Sequence, residues 1–291
     1  MEINFVTGKG GVGKSAVAAA LALRRAKAGQ RTILVELGDQ SYFRDYFSLD
    51  EVSYQPKKLE LNGVKMDLAQ WSGQECLKEY ALHILKIESL YRLFFQNPVS
   101  RALVNVAPAL SELAILGKIT SGSPRNVGPK MPYDVIVVDA YASGHFMALL
   151  NAPAGLAAAV RFGPMGDQVR AINSVIQDQN ICHFYVVALP EELPIVEGLE
   201  LANNIENAIQ HKPKFLLNRI LAFDPKLSAD LPKQHETSVE PLVNYLSELQ
   251  QRQVTMLDRL NKSGYSAQTL PWILSSDVIQ VVESLAQGLQ I

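Results

Sequence analysis

The chain has 291 residues, 48% of them hydrophobic, and its 27 basic and 29 acidic side chains leave a net charge of −2. That size and apolar content can bury a large core, as one big domain or two small ones, while the balanced charge gives no reason to expect a nucleic-acid partner. No apolar stretch approaches the ~18 residues of a membrane span, and Met1-Glu2 runs straight into a strand without a basic, apolar and small signal pattern. The expectation is a cytoplasmic protein with no direct membrane insertion.

The first element is an apolar strand, Ile3 to Val6, followed by Gly8-Lys9-Gly10-Gly11-Val12-Gly13-Lys14-Ser15 and an alanine-rich helix from Lys14 to about Ala28 that Gly29 stops. This strand, loop and helix form a phosphate cradle. The glycines let successive N–H groups turn inward toward phosphate oxygens, and the helix adds its positive end. Lys14 is placed to bridge β- and γ-phosphates, and the Ser15 hydroxyl to ligate Mg²⁺. Gly8, Gly10 and Gly13 also satisfy the dinucleotide spacing, and Glu36 sits where a ribose-binding acid would be expected. A dinucleotide turn, however, has no use for Lys14-Ser15 directly after its last glycine. A plain structural turn does not explain Lys9 and Lys14 in one loop, where they repel each other unless an anion is present.

A second strand, Thr32 to Glu36, leads into Leu37-Gly38-Asp39-Gln40-Ser41, and Leu61 to Met66 is a weaker strand candidate. Leu77, Tyr80, Ala81, Ile84, Ile87, Tyr91 and Phe94 then recur at helical spacing, which Val99 to Leu116 continues before the loop Ser121 to Pro132. Val135-Ile136-Val137-Val138-Asp139 reads as a buried central strand whose terminal acid can hold Mg²⁺ through water. Val239 to Leu260 has clean helical periodicity and could pack beside the earlier helical block, and Val278 to Leu289 reads as a buried final helix. The alternation predicts an α/β fold, a mostly parallel sheet with helices on both faces. Residues 1–291 form one domain, with a helical subdomain inserted at about 70–130.

With lysine at the second position of its loop, Lys9 through Ser15 resembles the deviant Walker A ATPases, the class of MinD, ParA, nitrogenase iron protein, ArsA and the tail-anchored-protein targeting ATPases. The resemblance implies that Lys9 reaches the nucleotide of a facing subunit, giving an ATP sandwich with hydrolysis tied to association. Asp139-Ala140-Tyr141-Ala142-Ser143-Gly144-His145 resembles the Asp-Thr-Ala-Pro-Thr-Gly-His segment of the ArsA and tail-anchored-targeting branch, with alanines at the Thr and Pro positions. Pro108-Ala109-Leu110-Ser111-Glu112 is similar to that branch's Pro-Gly-x-x-Glu element, and Leu189-Pro190-Glu191 with Glu197 to its Pro-Glu segment. By the same resemblance Asn218 reads the adenine edge, and Leu270-Pro271-Trp272 is the loop that covers the ring.

The first switch departs from the family's Asp-Pro-Ala-His. Aligned from the second strand, Asp39 takes the place of the water-positioning aspartate; aligned from Phe47, Gly38 takes it and the base is missing. Val35-Glu36-Leu37 resembles the opening of a bacterial paired-paralogue subgroup. Cys76 and Cys182 are isolated, a poor basis for the three thiolates arsenite needs, and no Cys-x-x-Cys is present for a zinc shared between subunits. No Lys or Arg follows Lys262, so a MinD-like basic membrane helix is not expected.

The expected activity is Mg²⁺-dependent ATP hydrolysis with ATP/ADP as ligands, catalysed through Lys9, Lys14 and Asp39, in a homodimer or a heterodimer with a paralogous ATPase that drives a membrane-protein client or membrane partner. Two alternatives remain: a weakly or non-hydrolysing nucleotide-gated scaffold that pairs with a paralogue, and a MinD/ParA-like positioning ATPase.

Overall fold

A computed structural model describes residues 1–85, 108–122, 125, 130–159, 163–222 and 236–290. Its centre is an eight-stranded sheet in the order β3-β4-β2-β5-β1-β6-β7-β8. The strands are β1 (Glu2–Gly8), β2 (Thr32–Leu37), β3 (Lys57–Leu61), β4 (Val64–Trp71), β5 (Val135–Ala142), β6 (Cys182–Ala188), β7 (Lys214–Ile220) and β8 (Ala267–Pro271). Every neighbouring pair is parallel except β3 with β4.

Helices cover both faces, as the alternating sequence pattern requires. On one face α1 (Lys14–Lys27) buries Val17 through Leu23 against Val6, Leu34 and Val137. Beside it α9 (Val278–Gly288) contributes Val282 and Leu285, and Arg24 donates to the Ala286 carbonyl at 3.2 Å. The opposite face carries α3 (Gly73–Leu85), α4 (Pro108–Ile119), α5 (Ser143–Ala159), α6 (Gly163–Gln177) and α7 (Glu192–Ile209), packed on Ile3, Phe5, Ile136 and Phe184. Phe5 stacks on Phe184 with ring centroids 5.0 Å apart. The inward residues of β1 thus alternate between two cores, and burial of this kind is the main source of stability in such a layered fold.

Three expectations need correction. The single strand at Leu61 to Met66 is a hairpin, because Asn62 and Gly63 both adopt positive φ (47° and 80°) and turn β3 into β4. An Asn-Gly pair is the residue choice for that two-residue turn, and β4 emerges from it to pair with β2. The strand ending at Asp139 runs on to Ala142, carrying Ala140 and Tyr141 into β5. The long helix α8 (Glu236–Lys262) packs on α7, β7 and β8, and only part of its apolar stripe is covered: Leu260 is fully buried, whereas Leu242 and Val254 are 56% and 46% exposed.

Within the expected 70–130 insertion, α3 and α4 pack on each other, and α4 places Leu113, Leu116 and Ile119 in the same core as Phe5 and Phe146. The described part of the insertion is therefore continuous with the helical layer over the sheet. Tyr91, Phe94, Phe95 and Val99 lie outside the described residues. None of the described helices is long and apolar enough to cross a membrane.

Gly63→Val forces a β-branched residue into left-handed backbone. It should lower the urea-unfolding free energy by about 1–2 kcal/mol while leaving ligand binding at the distant strand ends unchanged.

Candidate nucleotide site

The carboxyl ends of β1, β2, β5, β6 and β7 converge where the strand order reverses, the place where open α/β sheets bind ligands. The glycine-rich loop leaves β1 there and turns into α1. Gly13 caps the helix at φ 92°, ψ 24°, no side chain caps its N–H groups, and no acid occupies its first turn. A Cβ at Gly13 would stand 2.5 Å from Asn218 Nδ2, so both the backbone angle and the neighbour demand glycine. The uncapped N–H groups and the helix dipole make an anion site.

Lys14 folds back over this cradle and donates from Nζ to the Lys9 carbonyl at 3.0 Å. Burial lowers its pKa, and the nearby Asp139 charge offsets part of that effect. Lys9 points elsewhere. Its half-exposed ammonium pairs with Glu197 on α7 at 2.7 Å.

Asp139 sits opposite Glu36 in the β2–β5 register and opposite Val6 in β1. It is 6% exposed. Burial raises its pKa to about 7, with Glu36 adding to the rise and the Ser15 hydrogen bond and Lys14 opposing it. Its Oδ1 has no hydrogen-bond partner among the described residues. A buried carboxylate with an orphaned oxygen, under the influence of a loop hydroxyl, suits a hard cation that prefers oxygen ligands. Ser15 and Asp139 are thus brought together and fit Mg²⁺.

Glu36 has a role that its sequence position did not reveal. It is buried and accepts from Ser41 Oγ at 2.5 Å, Tyr42 N at 2.5 Å and Phe43 N at 3.5 Å, so it closes the N-terminus of the short helix α2 (Tyr42–Tyr46). Burial raises the Glu36 pKa, and these three bonds oppose the rise. The turn it holds leaves Asp39 exposed. Gly38 before it is tied at both ends, donating to the Trp71 carbonyl at 3.2 Å and accepting from Gln70 Nε2 at 3.0 Å.

A cavity of about 590 Å³, within the usual range for ligand pockets, opens over the loop. Gly11, Gly13, Lys14 and Ser15 line it, as do Asn218, Arg219, Pro271 and Trp272 from the ends of β7 and β8, and Tyr42 and Tyr46 from α2. Lys9, Asp39 and Asp139 are not among the lining residues. Asn218 is also part of the loop's support: Nδ2 donates to the Val12 carbonyl at 2.9 Å and Oδ1 accepts from Arg219 N at 2.9 Å. Each end of the carboxamide keeps one further hydrogen-bonding position. His145 lies exposed in the first turn of α5, its ring 6.1 Å from Tyr141. Glu112, on α4, has a buried Oε2 without a partner among the described residues. Cys76 and Cys182 are buried free thiols, and among the described residues no three His, Cys, Asp or Glu side chains cluster to hold a metal. The stacked Tyr42 and Tyr46 were missed by the sequence reading, although two aromatics four residues apart share a helix face.

Residues 1–162 match the family model described as Anion-transporting ATPase. The chain belongs to this family. Among its relatives is the protein named "ATPase BagA" of Mycobacterium tuberculosis, 28% identical over 214 residues, which cover 69% of this chain and 59% of that protein. A "Putative arsenical pump-driving ATPase" of Halobacterium salinarum is 27% identical over 221 residues, 70% of this chain and 33% of that protein. "ATPase ASNA1 homolog 1" of Paramecium tetraurelia is 24% identical over 257 residues, 75% and 74% of the two chains. The chain thus spans little more than half of the mycobacterial relative and a third of the haloarchaeal one. The family match ends at residue 162, so it contains the loop, the first switch and Asp139, whereas Asn218 and Pro271 lie beyond it.

Asn218→Ala leaves the buried Val12 carbonyl unpaired. It should destabilise the ligand-free protein by about 1–3 kcal/mol, read as a lower thermal midpoint.

Proposed function

We propose that the chain is a cytoplasmic Mg²⁺-dependent ATPase that works as a nucleotide-operated switch of the ArsA and tail-anchored-targeting type. The observation that carries this reading is the Gly8–Ser15 loop, whose Lys14 rests on a loop carbonyl beside the orphaned Asp139 oxygen. Triphosphate entering the cradle receives the loop N–H groups and exchanges the Lys9 carbonyl for phosphate oxygens as the partner of Lys14. Ser15 and Asp139 would hold Mg²⁺, which supplies neutralisation of phosphate charge when bound. Asp39 would orient the attacking water, and Asn218 and Pro271 would border the adenine.

Lys9 serves a facing subunit, in a homodimer or with a paralogous ATPase. Its present partner, Glu197, is a surface ion pair of the kind worth only about 0–1 kcal/mol. Exchanging that partner for a phosphate across a dimer therefore costs little. Association coupled to ATP then drives a membrane-protein client or membrane partner.

One observation favours the second reading, a weakly hydrolysing nucleotide-gated scaffold. Asp39 is exposed outside the cavity while Glu36, the register partner of Asp139, is fully engaged in closing α2. Asp39 must move toward the phosphates before hydrolysis.

Steady-state phosphate release separates the readings. Lys14→Ala should reduce turnover at least about 100-fold, the scale of losing one preorganised charge-stabilising group, and Asp39→Asn should reduce it to a similar degree. Tight ATP binding by the wild type with no turnover, alone or with a paralogue, selects the scaffold. Lys9→Ala should abolish ATP-dependent dimerisation, measured by sedimentation velocity, while ATP binding falls much less; equal loss of both removes the trans role.

Asp139→Asn takes a buried charge out of the ligand-free protein. Because burial raises the folded-state pKa of Asp139 above its unfolded value, its stabilising contribution is present at low pH and is lost as pH rises through about 7. At pH 8 the variant should therefore have a higher thermal midpoint than wild type in the absence of ligand, and no Mg²⁺-dependent turnover.

A further inference from the structure

The cavity beside the phosphate loop has an aromatic wall that the nucleotide reading does not use. Tyr42 and Tyr46 project from one side of α2 with ring centroids 5.1 Å apart and planes at 26°. Phe43, fully buried, anchors the helix and meets Tyr46 edge-on at 6.4 Å. Tyr42 is 51% exposed, a large ring left open to solvent at the mouth of a site. A bare stacked pair at that position has unused π-surface.

The two rings occupy different depths. Tyr46 packs on the core that holds α1 and α9, whereas the Tyr42 phenol is close enough to Asp139 and Glu36 for their charges to act on it, after burial itself. The wall therefore runs from the end of α2 that is bonded to Glu36 toward the core beside α9. Asn218, Pro271 and Trp272 line the same cavity.

We infer that Tyr42 and Tyr46 are nucleoside-contacting residues, and that bound ATP lies with its base and ribose between this stacked pair and the Pro271–Trp272 segment. The inference rests on the nucleotide reading and adds to it a recognition surface supplied by the first-switch helix. Stacking of a base on an aromatic face is strong and tolerant of base identity. It also has a mechanical result: the Tyr42 backbone N–H is bonded to Glu36, the register neighbour of Asp139. A nucleoside pressed on α2 thus bears on the same strand ends that hold the metal-binding acid.

Isothermal titration calorimetry with ATP and with tripolyphosphate, which has no nucleoside, tests this. Tyr46→Ala and Tyr46→Leu should weaken ATP binding on the order of tenfold and leave tripolyphosphate affinity within about twofold, while Tyr46→Phe should bind both like wild type. Leucine keeps apolar volume against the core; should both Tyr46 variants unfold, Tyr42→Ala removes a half-exposed ring and carries the same expectation. Unchanged ATP affinity in a folded variant overturns the inference, as does a parallel loss for ATP and tripolyphosphate. Lys14→Ala is the reference: if it binds ATP as tightly as wild type, the nucleotide reading falls and the inference with it. If it loses ATP while the tyrosine variants do not, only the aromatic wall is wrong.

Discussion

Two carboxylates face each other across the buried ends of β2 and β5, and the arrangement of the strand-end crest follows from how their charge is accommodated. Glu36 is satisfied locally, by one hydroxyl and two backbone N–H groups at the start of α2, which draws the polypeptide after β2 into a tight cap. Asp139 is left with Ser15 on one side and an open oxygen on the other. Lys14 is the half-buried cation whose charge acts on it. In a low-dielectric setting such a group is held at a cost until a cation or proton arrives. The crest is thus prepared for positive charge in one place, while the loop N–H groups that follow the neighbouring strand β1 are prepared for negative charge.

The framework of this crest was plain in the sequence because strong local chemistry encodes it. The apolar runs of β1, β2 and β5 and the loop glycines specify strand, turn and helix through backbone preference alone. The Asn62-Gly63 hairpin was equally legible, but the surrounding hydrophobic pattern was read as one strand, and the turn chemistry decides there. Glu36 shows the limit. Its value as a cap depends on Ser41 and Tyr42 curling back on it, a tertiary arrangement that no spacing rule announces.

The same distinction explains why the site is uneven in its legibility. Gly13, Lys14 and Ser15 are consecutive, so one motif locates them all. Asn218 is placed by a hydrogen bond spanning 206 positions of sequence, and no local pattern announces that its side chain braces the Val12 carbonyl. The stripe on α8 misled for the opposite reason: its periodicity is real, but periodicity states which residues share a face and not whether a neighbour covers it.

The hairpin that begins the sheet has a bearing on how copies of the chain can meet. Its outer strand, β3, presents Lys57, Lys58 and Glu60 to solvent, and those side chains pair with Glu51, Asp67 and Lys65. A charged, short border of this type disfavours the addition of a further strand. Growth of the sheet from molecule to molecule is therefore disfavoured on that flank.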